Sequence, residues 1–290
     1  MNALTLSSPA KVNLTLRVLG RRSDGYHEIE TLFERIDWCD EIKISQESSG
    51  SGIRITCDHP AVPTEERNLA LRAARAICEA ASINVGLTVR IAKRIPVAGG
   101  LAGGSSNAAT VLLGVNRLLG LGLSKKRLEV IGRQLGADVA FFLHEAPWAI
   151  GTERGDVIRP IESPYRVWQV VVVPPVAKPS TGAVYQALPH PLTPKDQDVK
   201  VDASFLRRLA SGKLSIPSSC NDLEESRLVQ REPMIQEAKR LLRAAGACWV
   251  TMSGSGPSVI GVVRSQAEAA RMSQTIQTTT GWLTQVAQTI

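Results

Sequence analysis

The sequence predicts an α+β protein with two domains. In the first half, residues 87–91 alternate apolar and polar side chains as in a strand, and residues 108–119 repeat apolar side chains at helical spacing. A glycine-rich loop joins these two patterns, which indicates a mixed α/β domain. In the second half, two apolar runs flank a glycine turn at residues 253–257, as the strands of an antiparallel sheet do.

The boundary between the domains is predicted near residue 156. The composition changes after the glycine-rich connection 151–156, and the second half then has its own strand at 166–173. The chain has 290 residues, which is enough for two domains of ordinary size. We therefore expect an N-terminal domain over residues 1–156 and a C-terminal domain, an α/β sandwich with an antiparallel sheet, over residues 157–290.

The first predicted strand brings two polar side chains together. Residues 10–19 alternate apolar and polar side chains, and successive side chains of a strand point to opposite faces. Lys11 and Asn13 are therefore expected on the same face. The polar segment RRSDGYHE follows, and its Asp-Gly pair predicts a tight turn that presents Tyr26 and His27 at the edge of a loop.

The remaining elements are predicted from periodicity and from capping residues. In the first half these are strands at 29–36 and 41–45, a helix from the N-cap Asn68 to about residue 81, and a helix from about Ser124 to Gly136. That last helix is expected to deliver Asp138 to the start of the apolar segment 139–143. In the second half, helices are predicted at 233–245 and 266–277, and the proline-rich segment 189–200 is predicted to be a surface excursion.

The glycine-rich loop PVAGGLAGGSSNAA, residues 96–109, is the most informative segment. Its four glycines allow the backbone to approach a ligand, and the free N–H groups and positive dipole of the following helix favour anionic oxygens. The segment lacks the Lys-Ser/Thr of a Walker A sequence and the G-x-G-x-x-G of dinucleotide folds. A turn with a serine N-cap is the alternative, but it needs fewer glycines. The loop therefore predicts a polyphosphate site.

Composition argues against several classes of protein. The five cysteines are scattered and form no C-x-x-C pair, which argues against a disulfide framework or a zinc site. Strongly apolar runs such as 170–173 are far shorter than the ~20 residues that cross a bilayer. The first residues lack the charged start and apolar core of a signal peptide. We expect a cytoplasmic protein with reduced thiols and no membrane partner.

The net charge of +7 fits either a nucleic acid or a small anionic substrate as partner. Basic residues are dispersed along the chain, and aromatic residues make up only 4% of it, too few for an obvious base-stacking platform. We therefore expect a small-molecule substrate and no nucleic acid. No motif encodes the oligomeric state, and a monomer or weak homodimer is expected.

Four motifs together resemble one enzyme family. They are PAKVN at 9–13, GGSSNAA at 103–109, LGADV at 135–139 and SGSGP at 253–257. In this order they resemble the GHMP kinases, which include galactokinase, homoserine kinase and mevalonate kinase. The resemblance spans nearly the whole chain and implies a two-domain GHMP kinase fold that uses ATP as phosphate donor together with Mg²⁺.

The resemblance is strongest to members of this family that act on a cytidine-bearing substrate, because those members also share the segment RRSDGYHE. It implies phosphorylation of the tertiary 2-hydroxyl of a cytidine diphosphate-linked methylerythritol, in non-mevalonate isoprenoid biosynthesis. Two alternatives remain open: a GHMP kinase acting on homoserine or a mevalonate-type acceptor, and a non-catalytic nucleotide-binding or RNA-binding protein. The Tyr26-His27 pair argues against the first, and intact Lys11 and Asp138 argue against the second.

Catalytic roles are implied for two residues. Asp138 corresponds to the carboxylate that meets the acceptor hydroxyl, and Lys11 is expected beside it, where the ammonium keeps the carboxylate ionised and offsets the charge of the phosphoryl group. Without the resemblance, Asp138 would be interpreted as an N-cap and Lys11 as a solvated lysine on an edge strand.

Substrate contacts are implied for Asn13, Tyr26, His27, Thr181 and Tyr185. His27 is expected to read the edge of the cytosine, Tyr26 to stack on its ring, and Tyr185 to supply the opposite aromatic wall. Thr181 is expected to bind the erythritol or phosphate part. An ordinary loop histidine and an ordinary turn hydroxyl are the alternatives for His27 and Thr181.

The resemblance also implies that ATP lies against the glycine-rich loop. The expected cofactor-binding residues are Pro96, Val97, Ala98, Gly99, Gly100, Leu101, Ala102, Gly103, Gly104, Ser105, Ser106 and Asn107. Mg²⁺ is expected near Ser105 or Ser106, and the sequence does not decide which. The family usually has glycine at the positions of Ala98 and Ala102 and proline at that of Ala140. The two loop methyl groups need not block phosphate binding if φ is negative there.

Overall fold

The computed structural model describes residues 2–177, 179–189, 201–214 and 220–290. Most of the predicted surface excursion, residues 190–200, lies outside the described residues. The strands are Ala3–Arg21 (β1), His27–Glu47 (β2), Ile53–Cys57 (β3), Gly86–Ala92 (β4), Trp148–Thr152 (β5), Val157–Pro160 (β6), Trp168–Val173 (β7), Trp249–Met252 (β8), Val259–Val263 (β9) and Leu283–Gln288 (β10). The helices are Leu69–Ala80 (α1), Gly103–Leu118 (α2), Lys125–Leu135 (α3), Ala137–Leu143 (α4), Thr181–Gln186 (α5), Ala203–Ala210 (α6), Arg227–Gln230 (α7), Pro233–Ala244 (α8) and Gln266–Thr280 (α9).

The first sheet is built around the long antiparallel hairpin of β1 and β2. Its order is β3-β4-β2-β5-β6 with β1 paired to β2, and only β3 and β4 run parallel. The separate strands predicted at 29–36 and 41–45 are one strand. A register shift opposite Pro9 and Ala10 interrupts the alternation between them, and such a bulge breaks the two-residue period without ending the strand.

Helices α1, α2 and α4 pack on the first sheet, and α3 packs on these three helices. Most of the predicted helix ends are confirmed. The Asn68 side chain caps α1 and the Ser124 side chain caps α3, which ends at Gly136. Helix α2 begins at Gly103, five residues before the predicted start, because Ser106 and Asn107 are buried by polar contacts and so break the apolar pattern. None of the helices in the described ranges is long and apolar enough to span a bilayer.

The second sheet is antiparallel throughout, with the order β10-β7-β9-β8. The predicted strand, glycine turn and strand correspond to β8 and β9, and the helices predicted at 233–245 and 266–277 correspond to α8 and α9. Strand β6, which follows residue 156, still pairs with β5 in the first sheet. The domain boundary at 156 therefore stays a prediction.

A buried carboxyl group joins the two sheets. Glu34 on β2 accepts hydrogen bonds from Gln169 Nε2 on β7 at 2.9 Å and from Thr289 Oγ1 at 2.7 Å. Burial raises the pKa of Glu34 to about 8, against the opposing effect of these two hydrogen bonds. The Trp249 indole N–H also crosses the seam and donates to the Leu14 carbonyl oxygen at 3.0 Å. The two sheets are thus held in a fixed relation.

Candidate active site

Lys11 and Asp138 come together from distant parts of the chain. Lys11 lies on β1, Asp138 lies in the first turn of α4, and Lys11 Nζ is 3.6 Å from Asp138 Oδ1. Lys11 is only 4% exposed, which rules out a solvated lysine, whereas the Asp138 side chain is 37% exposed. Asp138 makes no capping hydrogen bond, since the N-cap position of α4 belongs to Gly136.

The ammonium group of Lys11 is held by its neighbours on β1 and β2. Its Nζ donates to Asn13 Oδ1 at 2.6 Å, and Asn13 Nδ2 donates to Thr31 Oγ1 at 2.7 Å. The Lys11 Nζ also lies 5.2 Å from the centroid of the Phe33 ring. Burial lowers the pKa of Lys11, and the Asp138 carboxylate opposes this shift by favouring the charged form. The predicted pairing of Lys11 and Asn13 on one face of β1 is therefore confirmed.

The C-terminal glycine turn lies directly behind the glycine-rich loop. Ser253 Oγ accepts a hydrogen bond from the Asn13 backbone N–H at 3.3 Å and donates one to the Gly100 carbonyl oxygen at 3.0 Å. The Ser258 N–H donates to the Gly99 carbonyl oxygen at 3.3 Å. A Cβ atom on Gly100 would lie 2.5 Å from the Ser253 carbonyl oxygen. Contact this close requires glycine.

The condition of negative φ at the two loop alanines is not met. Ala98 has φ of 59° and Ala102 has φ of 54°, both in the left-handed region, and Gly100 between them has φ of 79°. Left-handed backbone costs a non-glycine residue about 1–2 kcal/mol. The chain adopts it because the loop reverses direction at these positions, and Ala102 is the N-cap of α2. Ala140 is buried within α4.

The two serines at the start of α2 have different surroundings. Ser106 is buried, and its Oγ lies 2.8 Å from Ser8 Oγ. Asn107 Nδ2 donates to Ser8 Oγ at 2.9 Å and to Asp40 Oδ2 at 2.9 Å, so its side chain also faces the interior. Ser105 is only half-buried and lines the cavity described next.

A cavity of about 840 Å³ contains most of the predicted site residues. Its lining includes the catalytic pair and all five predicted substrate residues, namely Lys11, Asp138, Asn13, Tyr26, His27, Thr181 and Tyr185. From the glycine-rich loop it includes Pro96, Ala98, Gly99, Gly100, Ala102, Gly103, Gly104 and Ser105. Leu101, Ser106 and Asn107 are buried behind this surface, and Val97 is exposed outside the cavity. The glycine-rich loop and the Lys11–Asp138 pair therefore line the same cavity.

Aromatic side chains also line the cavity, and the part that they line is called the aromatic or base end below. The His27 and Tyr185 rings are stacked, with centroids 5.0 Å apart and planes inclined by 28°. Burial raises the pKa of Tyr185, so its hydroxyl stays protonated at neutral pH. Tyr26 is 58% exposed. Thr181 Oγ1 lies 3.1 Å from Ser255 Oγ, next to the C-terminal turn.

Three cations that line the cavity were missed from the sequence: Lys93, Arg133 and Arg154. Lys93 Nζ lies 2.8 Å from Asp40 Oδ2 and 3.0 Å from the position that a Cβ atom would take on Gly103. Lys93 follows the predicted strand 87–91 and precedes the glycine-rich loop, so its position in the sequence could have placed it near the phosphate site. The sequence did not indicate a role for Asp40, because its partners Lys93 and Asn107 are far away in the sequence.

Comparison with known proteins agrees with this geometry. A family model described as GHMP kinases N terminal domain matches residues 68–146, and one described as GHMP kinases C terminal matches residues 206–279. A curated relative from Geobacter metallireducens, named 4-diphosphocytidyl-2-C-methyl-D-erythritol kinase, is 44% identical over 97% of both chains. The chain belongs to the GHMP kinase family.

Solved structures of GHMP kinases share the fold over the whole chain. A crystal structure titled 4-(cytidine 5'-diphospho)-2C-methyl-D-erythritol kinase has a TM-score of 0.82 and 34% identity, and the match covers 98% of each chain. Homoserine kinase from Cytophaga hutchinsonii has a TM-score of 0.68 with 20% identity, covering 100% of this chain and 95% of that one. At this lower identity the likeness concerns the fold alone.

Proposed function

We propose that this GHMP kinase transfers the γ-phosphoryl group of ATP to the tertiary 2-hydroxyl of 4-diphosphocytidyl-2-C-methyl-D-erythritol. The products are the 2-phosphate and ADP, and the reaction belongs to the non-mevalonate route to isopentenyl diphosphate. The observation that carries the proposal is the Lys11–Asp138 pair at 3.6 Å, in a cavity that also holds a glycine-rich loop and aromatic rings. The name of the Geobacter metallireducens relative supports the choice of substrate.

The glycine-rich loop is proposed to hold the phosphates of ATP. Its backbone approaches the cavity at Gly99 to Gly104, and the N-terminus of α2 offers free N–H groups and a positive dipole to anionic oxygens. Ser105, whose side chain is on the cavity side, is proposed as the serine near Mg²⁺, because hard cations bind oxygen ligands. Bound there, Mg²⁺ would neutralise phosphate charge.

Asp138 and Lys11 are proposed to act on the acceptor. The hydroxyl oxygen forms a bond to the γ-phosphorus while the bond from that phosphorus to the bridging oxygen breaks, and ADP leaves. Asp138 orients the hydroxyl and accepts its proton, which passes to solvent. Lys11 keeps the carboxylate ionised and offsets charge on the phosphoryl group. Positioning and charge stabilisation dominate such a reaction, because its transition state is loose.

The aromatic end is proposed to recognise the cytidylyl part of the substrate. His27 presents ring nitrogens to the base edge, while Tyr26 and Tyr185 supply stacking surfaces, each worth about 1–3 kcal/mol per base. Asn13, which accepts a hydrogen bond from Lys11 Nζ, and Thr181 also line the cavity and are proposed to contact the polyol and phosphate parts.

The test is ADP release measured with a panel of acceptors. We expect release with 4-diphosphocytidyl-2-C-methyl-D-erythritol and none above background with homoserine or mevalonate. Dependence on homoserine or mevalonate would establish the first alternative. Absence of ADP release with every acceptor, with ATP binding retained, would favour a non-catalytic nucleotide-binding protein.

The proposal also covers the cellular compartment, the oligomeric state and the partners of the enzyme. We propose that it acts in the cytoplasm as a monomer or weak homodimer, without a nucleic-acid or membrane partner. Sedimentation velocity at assay concentration is the check, and a stable tetramer would contradict it.

A further inference from the structure

The rim of the cavity carries an arginine that the proposed reaction does not use. Arg154 lies in the turn between β5 and β6, and its Cζ atom lies over the Tyr26 ring at 5.1 Å from the centroid. Both side chains line the cavity. A guanidinium group within about 6 Å of a ring centroid is attracted by the ring.

The guanidinium group is itself anchored. Arg154 Nη2 lies 2.5 Å from Asp156 Oδ2, and Asp156 is only 4% exposed. Gly155 between them has φ of 86°, and a Cβ atom there would lie 3.2 Å from Ile29 Cδ1. The turn is therefore packed against β2, and Asp156 fixes the direction of the arginine from the protein side.

The Tyr26 ring has little else to hold it. Its backbone N–H donates to Asp24 Oδ1 at 3.1 Å, which fixes the main chain of the loop, but the residue as a whole is 58% exposed. Arg154 covers one face of the ring. The exposed part of the ring is accessible to a ligand.

We propose that Arg154 is a positioning residue for the nucleobase of the acceptor: anchored by Asp156, it holds the Tyr26 ring in the orientation against which the base stacks. This inference rests on the proposed function and adds a specificity residue to it. An arginine suits this role better than a lysine, because its planar group stacks on a ring and forms an ion pair at the same time.

Steady-state kinetics of Arg154→Ala test the proposal. We expect KM for 4-diphosphocytidyl-2-C-methyl-D-erythritol to rise about three- to tenfold, the range of a cation–π contact at a partly exposed site. The kcat and the KM for ATP stay unchanged. Arg154→Lys is expected to show an intermediate KM. The control Arg159→Ala removes an exposed arginine of β6 that does not line the cavity, and it is expected to match the wild type.

A double-variant cycle separates action through Tyr26 from a direct contact with the substrate. If Arg154 acts through Tyr26, adding Arg154→Ala to Tyr26→Ala changes KM by less than twofold. An equal further loss in the Tyr26→Ala background would overturn the positioning role. So would an unchanged KM in a folded Arg154→Ala enzyme, where thermal melting establishes folding.

Calorimetric titration with cytidine 5'-diphosphate makes the same comparison without turnover. The wild type is expected to bind, and Arg154→Ala is expected to bind about three- to tenfold more weakly. Equal affinities, or no binding by the wild type, would overturn the inference. A wild-type enzyme that phosphorylates only homoserine or mevalonate would overturn the proposed function, whereas a wild-type enzyme that phosphorylates the cytidylyl substrate and an Arg154→Ala variant with unchanged KM would overturn this inference alone.

Discussion

The two ends of the cavity are built in different ways. At the phosphate end, backbone groups of Gly100 and Ser253 meet at close range, and Lys11 beside them is buried. At the base end, the side chains of Tyr26 and Arg154 stand at the rim. Tightly packed backbone tolerates no added atom, whereas rim side chains can change without disturbing the fold. Substitutions at the first end should therefore alter kcat and stability, and those at the second end should alter KM.

The largest effect is expected at the catalytic pair. Lys11→Ala and Asp138→Asn are each expected to lower kcat by two to four orders of magnitude, roughly the span of positioned proton-transfer groups. The physical reason is that each variant removes one charge from the point where the phosphoryl group meets the hydroxyl. ADP release under saturating substrates is the measurement.

A matched control for the lysine is Lys43→Ala, since Lys43 is exposed on β2 and does not line the cavity. It is expected to keep the wild-type kcat. Near-normal kcat in a folded Lys11→Ala or Asp138→Asn enzyme would remove that residue from the mechanism.

The next effect is expected where the glycine-rich loop touches the C-terminal turn. In Gly100→Ala, the new Cβ atom would lie 2.5 Å from the Ser253 carbonyl oxygen and 2.8 Å from that of Gly256, at a φ of 79°. Overpacking and left-handed strain together are expected to cost about 2–4 kcal/mol in the free energy of unfolding. Denaturant unfolding measures it.

Gly104→Ala is the control for this loop. A Cβ atom on Gly104 would meet nothing within 4 Å, and alanine favours a helix over glycine by about 0.5–1 kcal/mol. The free energy of unfolding should therefore stay the same or rise. Equal losses in both variants would mean that the close approach at Gly100 does not control stability.

Local chemistry made a large part of the fold and site predictable. The sequence correctly indicated the helix caps Asn68, Ser124 and Gly136. An N-cap depends on the hydrogen bond of its own side chain, and a C-terminal glycine depends on having no side chain, so both can be identified locally. The alternation in β1 likewise placed Lys11 beside Asn13. Motifs with a fixed order then indicated which parts of the chain meet at the cavity.

The rest depends on contacts between distant residues. Asp40 is buried by bonds to Lys93 and Asn107, which no local pattern relates to it. The left-handed φ of Ala98 follows from the path of the whole loop and contradicts the ordinary preference of alanine. Arg154 could not be connected to Tyr26, because nothing in the spacing of the two residues indicates that their turns are neighbours.

At the base end, a smaller effect of a different kind is expected. Tyr26→Ala should raise KM for the cytidylyl substrate about tenfold, because one stacking surface worth about 1–3 kcal/mol is lost. The kcat and the stability should change little, since the ring is exposed. Tyr26→Phe keeps the ring and should retain the wild-type KM. An unchanged KM in Tyr26→Ala would contradict the stacking role and remove the contrast between the two ends.

The smallest expected effect lies in the strained part of the loop. Ala98 is exposed and has φ of 59°, so Ala98→Gly loses no packing and relieves about 1–2 kcal/mol of left-handed strain, against about 0.4–1 kcal/mol of added freedom in the unfolded chain. The free energy of unfolding should rise by about 0.5–1 kcal/mol. The same substitution at exposed Ala270 inside α9 should lower it by about 1 kcal/mol. Two variants with the same chemical change and opposite signs would establish that backbone conformation at the phosphate end is held by the surrounding fold. Losses of equal size would mean that Ala98 carries no strain.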